Sequence, residues 1–347
     1  MIVDLFAGPG GWDEGLRLLG YTGHVVGVEM DKDACATAEA AGHARISADI
    51  RDLSARDVVP VGTPLEGLIA SPPCQTFSQA GKGAGRSRLD SLAAAASHVA
   101  AGDAVEDAAK HEGLDVGDPR STLVLEPLAW VRDACPEWLA FENVKGVLPV
   151  WQAFAGILEG LGYSTWAGRL NAADYGVPQS RTRAFLLGRR GSLPLPIPTH
   201  SESGGMGPTW VTMAEALDWP DSIRPTDARA WAWDRPATTV VRSFCPDVIA
   251  APGWRKPGDG PRQDTPGSIR VSERAMCVLQ GIRTDYPFQG AKTKRQSLIG
   301  AILPPPWAAA ILGPLVAATH APACVECGND DPCAGHSLCS DCLEDTA

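Results

Sequence analysis

The sequence predicts an α/β fold: a doubly wound, mostly parallel sheet with a smaller inserted lobe. Three observations carry that prediction. Short apolar runs alternate with helical stretches, which implies a parallel sheet covered on both faces. A glycine-rich turn follows the first run, where such sheets place a ligand. Residues 191–267 change texture, being rich in Pro, Gly and Trp with weak periodicity.

The elements follow in order. "IVDLF" (2–6) reads as a short buried strand, then the turn "AGPGG" and a helix beginning near Trp12. "HVVGVEM" (24–30) is a second strand, and "DKDACATAEAAG" a helix ending at Gly42. "ARISADI" (44–50) and "LEGLIAS" (65–71) make the third and fourth strands, "EWLAFENV" (137–144) the fifth, and "TRAFLLGRR" (182–190) a later one. This is a Rossmann-like order. Residues 82–120 include an Ala-rich stretch with high helix propensity and little bulk, expected to form a helical insertion or lid beside the sheet's working edge. "SERAMCVLQGI" (272–282) and "WAAAILGPLVAATH" (307–320) look helical again. The predicted organisation is a ligand-binding catalytic domain over 1–190, a recognition lobe over 191–267, a return to the first domain over 268–320, and a Cys-rich tail over 321–347.

Charged residues make up 20% and apolar residues 44% of the 347, the balance of a soluble globular protein rather than a disordered one. No apolar run is expected to reach the length of a membrane span, and the chain opens on "MIVDLF" without a basic-then-apolar leader, so no membrane partner and a cytoplasmic location are expected. Five of the ten cysteines (35, 74, 135, 245 and 277) are scattered singly, which argues against a disulfide framework. The net charge of −11 counts mildly against nucleic-acid binding, but it is uneven. Residues 321–347 hold six acids and no Lys or Arg, whereas 251–300 hold nine Lys/Arg against four acids. A phosphate backbone feels the local patch.

"DLFAGPGGWDEG" sets Gly8, Gly10 and Gly11 between strand and helix, where the backbone can approach a ligand closely. A dinucleotide fingerprint would place its third glycine at position 13, which is Asp13, and an acid at a helix start repels pyrophosphate. A ligand with ribose, adenine and an amino-acid moiety but no phosphate fits better, and S-adenosylmethionine is that ligand. Glu29, ending the second strand, is placed to accept ribose hydroxyls in either cofactor class, and Asp49 to take an adenine amino hydrogen. The plainer alternative for both is a solvated cap.

"DLFAGPGG", "SPPCQTFSQAG", "FENVKG", "QSRTR", "RVSERAMCVLQG" and "QSLIGAILPP" stand in the order found in DNA cytosine-5 methyltransferases, and the chain resembles that family over most of residues 1–320. The chemistry explains the residue types. Cytosine C5 is a poor nucleophile, so the ring must be activated by addition at C6, and a thiolate can add and leave again. The resemblance makes Cys74 that nucleophile. Pro72 and Pro73 fix its backbone and remove two amide donors. It implies that Glu142 donates to cytosine N3 as a protonated acid, that Asn143 supports the turn, and that Arg181 or Arg183 fixes the cytosine carbonyl or an adjacent phosphate. Phe6 and Pro72 join Gly8, Gly10, Gly11, Glu29 and Asp49 as expected cofactor contacts. The implied partner is double-stranded DNA with the target base flipped out, met by a monomer, under a loop holding Gln75, Ser78 and the hinge candidates Gly81 and Gly83.

The sequence departs from the family where Gly-Asn is usual: here Gly300 is followed by Ala301, losing a polar side chain near the methionine end of the cofactor. In the tail, Cys324-x2-Cys327 and Cys339-x2-Cys342 have the spacing of a structural Zn2+ site, with Cys333 and His336 as alternates. A floppy reduced tail is the other reading. Three functional readings stay open at this level: a DNA cytosine-5 methyltransferase, favoured; the same core acting on tRNA; and a non-catalytic binding relative, supported only by Ala301. A nicotinamide dehydrogenase is a distant fourth.

Overall fold

The computed structural model describes residues 1–73, 84–114, 122–205, 207–219, 221, 231–241 and 271–319, with backbone alone for 84–89 and 231. Cys74 and its loop, residues 242–270 and the cysteine tail lie outside the described residues.

In chain order the strands are β1 (Ile2–Leu5), β2 (Val25–Glu29), β3 (Arg45–Ser47), β4 (Gly67–Ala70), β5 (Trp138–Val144), β6 (Tyr163–Asn171), β7 (Gln179–Ser180), β8 (Thr182–Arg190) and β9 (Ala237–Thr238). The helices are α1 (Gly11–Leu18), α2 (Lys32–Ala40), α3 (Ala55–Val58), α4 (Ala84–Ala101), α5 (Val105–His111), α6 (Glu126–Ala134), α7 (Leu148–Gly160), α8 (Met213–Ala216), α9 (Trp231–Asp234), α10 (Glu273–Leu279), α11 (Lys292–Ala301) and α12 (Pro305–Thr319).

Seven strands form one sheet in the order β3-β2-β1-β4-β5-β8-β6. The first five are mutually parallel, and β8 runs antiparallel to both β5 and β6. The order reverses at β1, flanked by β2 and β4, and a doubly wound sheet opens its ligand crevice at such a point. Side chains alternate between two cores, as a strand's period of two requires. Val3, Leu5, Leu68, Ala70, Leu139 and Phe141 bury on one face, Ile2, Ile69, Trp138 and Ala140 on the other. On the second face α12 packs so closely against α1 that a Cβ on Gly15 would fall 2.6 Å from Ala308 Cβ.

Three expectations change. The Ala-rich helices are core, not lid: Leu92, Ala95, Ala96, Val99, Ala108 and Ala109 are all buried, because small side chains let α4 approach its neighbours. The border at 267/268 is not a packing border, since Met213, Ala237 and Val240 of the lobe share one core with Val271, Met276, Leu279, Ile299 and Ile302. The segment Lys292–Thr319 does reach the length and mean hydropathy (1.6) of a membrane span, yet 61% of its apolar window is buried within the molecule. Residues 302–304 also interrupt it, where Pro304 begins a run of three prolines.

Candidate cofactor and base site

A cavity of about 490 Å3 opens at the carboxyl ends of β1, β2 and β4. Its walls include Phe6, Gly8, Gly11, Trp12, Glu29, Asp31, Asp49, Pro73, Glu142 and, from the far end of the chain, Ala301, Ile302 and Leu303. That volume lies within the range of small-molecule and cofactor sites.

The three glycines of the turn have separate reasons. Gly8 has φ +55° and a side chain there would meet nothing within 4 Å, so it is the one that leaves the cavity free. At Gly10 (φ +107°) a Cβ would lie 2.6 Å from the Tyr286 hydroxyl, and at Gly11 one would lie 2.4 Å from the Leu303 carbonyl oxygen. These two serve packing against the C-terminal segment rather than ligand approach. Phe6 also takes a positive φ, 58°, at the strand's end.

Glu29 accepts the Gly8 amide on Oε2 (2.9 Å) and the Asp31 amide on Oε1 (2.7 Å), which fixes the carboxylate facing the cavity while each oxygen keeps a lone pair. Asp49 is held by Arg51, whose amide and Nε both donate to Oδ1 at 3.0 Å and whose Nη2 donates to Oδ2 at 2.5 Å. Those Arg51 hydrogen bonds keep the Asp49 carboxyl below its ordinary range. Open space over Gly8, fixed acceptors at Glu29 and Asp49, and apolar Val28, Ile50 and Leu303 together fit S-adenosylmethionine. Phe6, Gly8 and Gly11 line the same wall, whereas Pro72 is buried beside it.

Asp13 needs a correction. It does not sit at the helix start as a free charge: Arg45, with its side chain fully buried, donates to Oδ2 at 2.7 Å and to Oδ1 at 3.1 Å. Its power to repel phosphate is therefore largely cancelled. Beside it, burial opposes the charge on Glu14, but hydrogen bonds from His43 and Arg17 outweigh burial and hold that carboxyl down at about 2. Tyr286 closes the arrangement by donating to the Pro9 carbonyl at 2.5 Å. Lys294 pairs with Asp31 on the cavity's rim.

At the other end of the cavity, Glu142 Oε1 lies 3.1 Å from Arg183 Nε. Asn143, next along β5, donates to the Pro72 carbonyl at 3.0 Å and accepts the Val144 amide at 2.8 Å. Strand β5 thus grips the segment that leads, through Pro73 on the cavity wall, into Cys74. Arg181 is placed differently from Arg183. It is 4% exposed, and its guanidinium donates to the carbonyls of Gly300 (2.9 Å), Val240 (3.4 Å) and Ala301 (3.4 Å). It satisfies the C-terminal carbonyls of α11 and ties them to the lobe. Burial foremost, then repulsion from Arg183, brings its ionisation down to about 9.

The structure thus gathers Gly8, Glu29, Asp49 and Glu142 around one crevice, with Arg183 paired to Glu142. Trp12, Asp31, Ser71, Ile302 and Leu303 line it too and were not singled out in the sequence. The signal that could have found Trp12 is its place in the first turn after the glycines; its Nε1 donates to Ser71 Oγ at 2.9 Å. Such a crevice, at the point where the strand order reverses, is where a doubly wound α/β protein takes its ligand.

The sequence profile of C-5 cytosine-specific DNA methylases matches residues 1–96 and 108–215, more than half of the chain. The type II methyltransferase M.AquIA of Picosynechococcus sp. is 33% identical over 224 residues, 58% of this chain and 77% of that one. The type II methyltransferase M.DdeI of Desulfomicrobium norvegicum is 30% identical over 204 residues, 56% of this chain and 41% of that longer one. The solved S. pombe Dnmt2 methyltransferase superposes with a TM-score of 0.58 over 92% of this chain and 97% of its own, at 16% identity, a likeness of fold. The chain belongs to the C-5 cytosine-specific DNA methylase family. Membership makes it a DNA cytosine-5 methyltransferase, with S-adenosylmethionine as the implied methyl source.

Proposed function

We propose that the chain methylates cytosine C5 in duplex DNA through a covalent intermediate between Cys74 and C6 of a flipped-out base. The observation that carries this reading is the single cavity with the cofactor acceptors Glu29 and Asp49 at one end and Glu142 with Arg183 at the other. Cys74 itself lies outside the described residues, one position beyond Pro73 on the cavity wall.

The chemistry balances as follows. The Cys74 sulfur bonds to C6 as Glu142 offers a proton to N3, and electron density moves to C5. Bound S-adenosylmethionine supplies the methyl group that C5 takes. A base then removes the C5 proton, the C6–sulfur bond breaks, and Cys74 leaves as thiolate. Arg183 holds the Glu142 carboxyl in place and can reach a cytosine carbonyl or phosphate. Arg181 positions by tying α11 and the lobe together. Phe6, Gly8, Gly10, Gly11 and Pro72 shape the cofactor end directly or by packing. The type II relatives support a role in DNA modification beside a restriction nuclease; that the chain acts as a monomer in a reducing cytoplasm is part of the proposal and rests on the sequence alone. For the tail, the thiols of Cys324, Cys327, Cys339 and Cys342, with Cys333 or His336 as alternates, carry the spacing of a structural zinc site.

The test is transfer of labelled methyl from S-adenosylmethionine to unmethylated duplex DNA, comparing wild type with Cys74→Ala. Label in cytosine C5 that disappears in the variant is expected. Label in tRNA but not in DNA overturns the substrate assignment, and undiminished transfer by Cys74→Ala overturns the nucleophile.

A further inference from the structure

Away from the cavity, the C-terminal ends of α4 and α5 bring His98, His111 and Glu112 together, with Asp103 from the turn between the helices. His98 Nε2 lies 3.2 Å and His111 Nδ1 3.1 Å from the same oxygen, Glu112 Oε1. The two imidazole centroids are 4.7 Å apart at 57°. One ligand atom from each of these three residues lies within 4.8 Å of the other two. On its far side, His98 Nδ1 faces Asp103 Oδ2 at 3.4 Å.

We propose that His98, His111 and Glu112 bind a divalent transition-metal ion, zinc by preference, with Asp103 orienting His98. Ligands about 2.0–2.1 Å from a tetrahedral ion sit roughly 3.3 Å from one another. Both His–Glu separations already lie close to that value, and the two histidine ligand atoms are within 4.8 Å of each other. Asp103 Oδ2 faces His98 Nδ1 on one side of the ring while Nε2 faces Glu112 on the other, the carboxylate–histidine arrangement that orients metal ligands. Two imidazoles and one carboxylate suit zinc or cobalt and are wrong for magnesium or calcium, which take oxygen sets.

Two further observations favour a site over a chance surface cluster. The helices presenting it are anchored, since Leu92, Val99, Val105, Ala108 and Ala109 are buried in the main core, so the ligand atoms start from a fixed frame. The family profile breaks off at residue 96 and resumes at 108, so His98 and Asp103 belong to a stretch this chain has outside the family pattern. Side-chain exposures of 38%, 70% and 23% for His98, His111 and Glu112 leave the fourth position open to water or another ligand. The ion would staple the end of α4 to the end of α5.

The test uses the full chain carrying Cys324→Ser, Cys327→Ser, Cys333→Ser, Cys339→Ser and Cys342→Ser, which removes every tail thiol, titrated with Co2+ and with Zn2+ near pH 7. One Co2+ with ligand-field absorption but no thiolate charge-transfer band is expected. That signal should be lost, and Zn2+ affinity should fall at least tenfold, in His98→Ala and in His111→Ala. Asp103→Asn should keep the site and weaken it by a smaller factor. His98, Asp103 and His111 are all partly or fully exposed, and circular dichroism checks that each variant folds. Unchanged stoichiometry and affinity in both histidine variants, or a folded chain that binds no Co2+, overturns the proposal.

Discussion

Two clusters of histidine and carboxylate in this molecule share a chemistry and differ in everything else. Beneath the glycine turn, Asp13, Glu14, His43 and Arg45 come from α1 and from residues some thirty positions later, and Asp13 and Arg45 are both buried. At the α4–α5 turn, His98, Asp103, His111 and Glu112 lie within fifteen positions and face solvent. In the first cluster each charge is used up by a partner inside the protein, and the product is a fixed loop shape. In the second the two histidines share one carboxylate oxygen at 3.1 and 3.2 Å, and solvent reaches all of them. Burial decides whether such a group shapes the fold or stays available to a ligand.

The comparison breaks most sharply at Arg45. Arg45→Met leaves Asp13 buried without its cation, and removal of one member of a buried pair costs about 3–5 kcal/mol. Urea unfolding should show a loss of that size, together with weakened binding of S-adenosylmethionine. Adding Asp13→Asn should restore much of the stability. A loss under about 1 kcal/mol would mean that the pair does not hold the turn.

An intermediate case is Glu126, at the start of α6. Burial foremost, with help from Asp49 and against Arg51, pushes its carboxyl up to about 7. The folded-state value lies above the unfolded one, so the unfolded chain gives up this proton first. Stability contributed by the protonated form is whole below about pH 4.3 and declines as pH rises toward 7. Glu126→Gln should therefore gain roughly 1–3 kcal/mol over wild type at pH 8 and almost nothing at pH 4. Equal effects at the two pH values would remove Glu126 as the source. The smallest effect belongs to the exposed cluster. Without metal, His98→Ala should change stability by less than about 0.5 kcal/mol in thermal melts, and a larger loss would place this cluster with the structural one.

Much of this was legible in the sequence, for reasons that particular residues make plain. Strands β1, β4 and β5 are short apolar runs bounded by turn signals, and "TRAFLLGRR" carries its strand at the predicted place. Strand β6 (Tyr163–Asn171) was not anticipated, because "YSTWAGRLN" mixes half-buried polar and aromatic residues without clean alternation. With it went the antiparallel β8 edge. At the site, Glu29, Asp49 and Glu142 were visible because each ends or follows a recognisable strand. Arg45 was not, since nothing local says that a strand arginine will fold back onto an aspartate 32 positions earlier. The insertion is helical as expected, and only its reading as a lid fails, because alanine reads as lack of bulk in a string and as close approach in space.

The wall contributed by Ala301, Ile302 and Leu303 has a consequence in time. The first 73 residues supply the glycine turn, Glu29 and Asp49, yet the cavity has an open side until residues near position 300 fold back over Gly11 and Tyr286 reaches Pro9. On the ribosome, the nascent chain must therefore carry its cofactor loop unsupported while more than two hundred further residues are made. A ligand that needs this wall adds stability only once the wall is in place, because binding stabilises the state that binds.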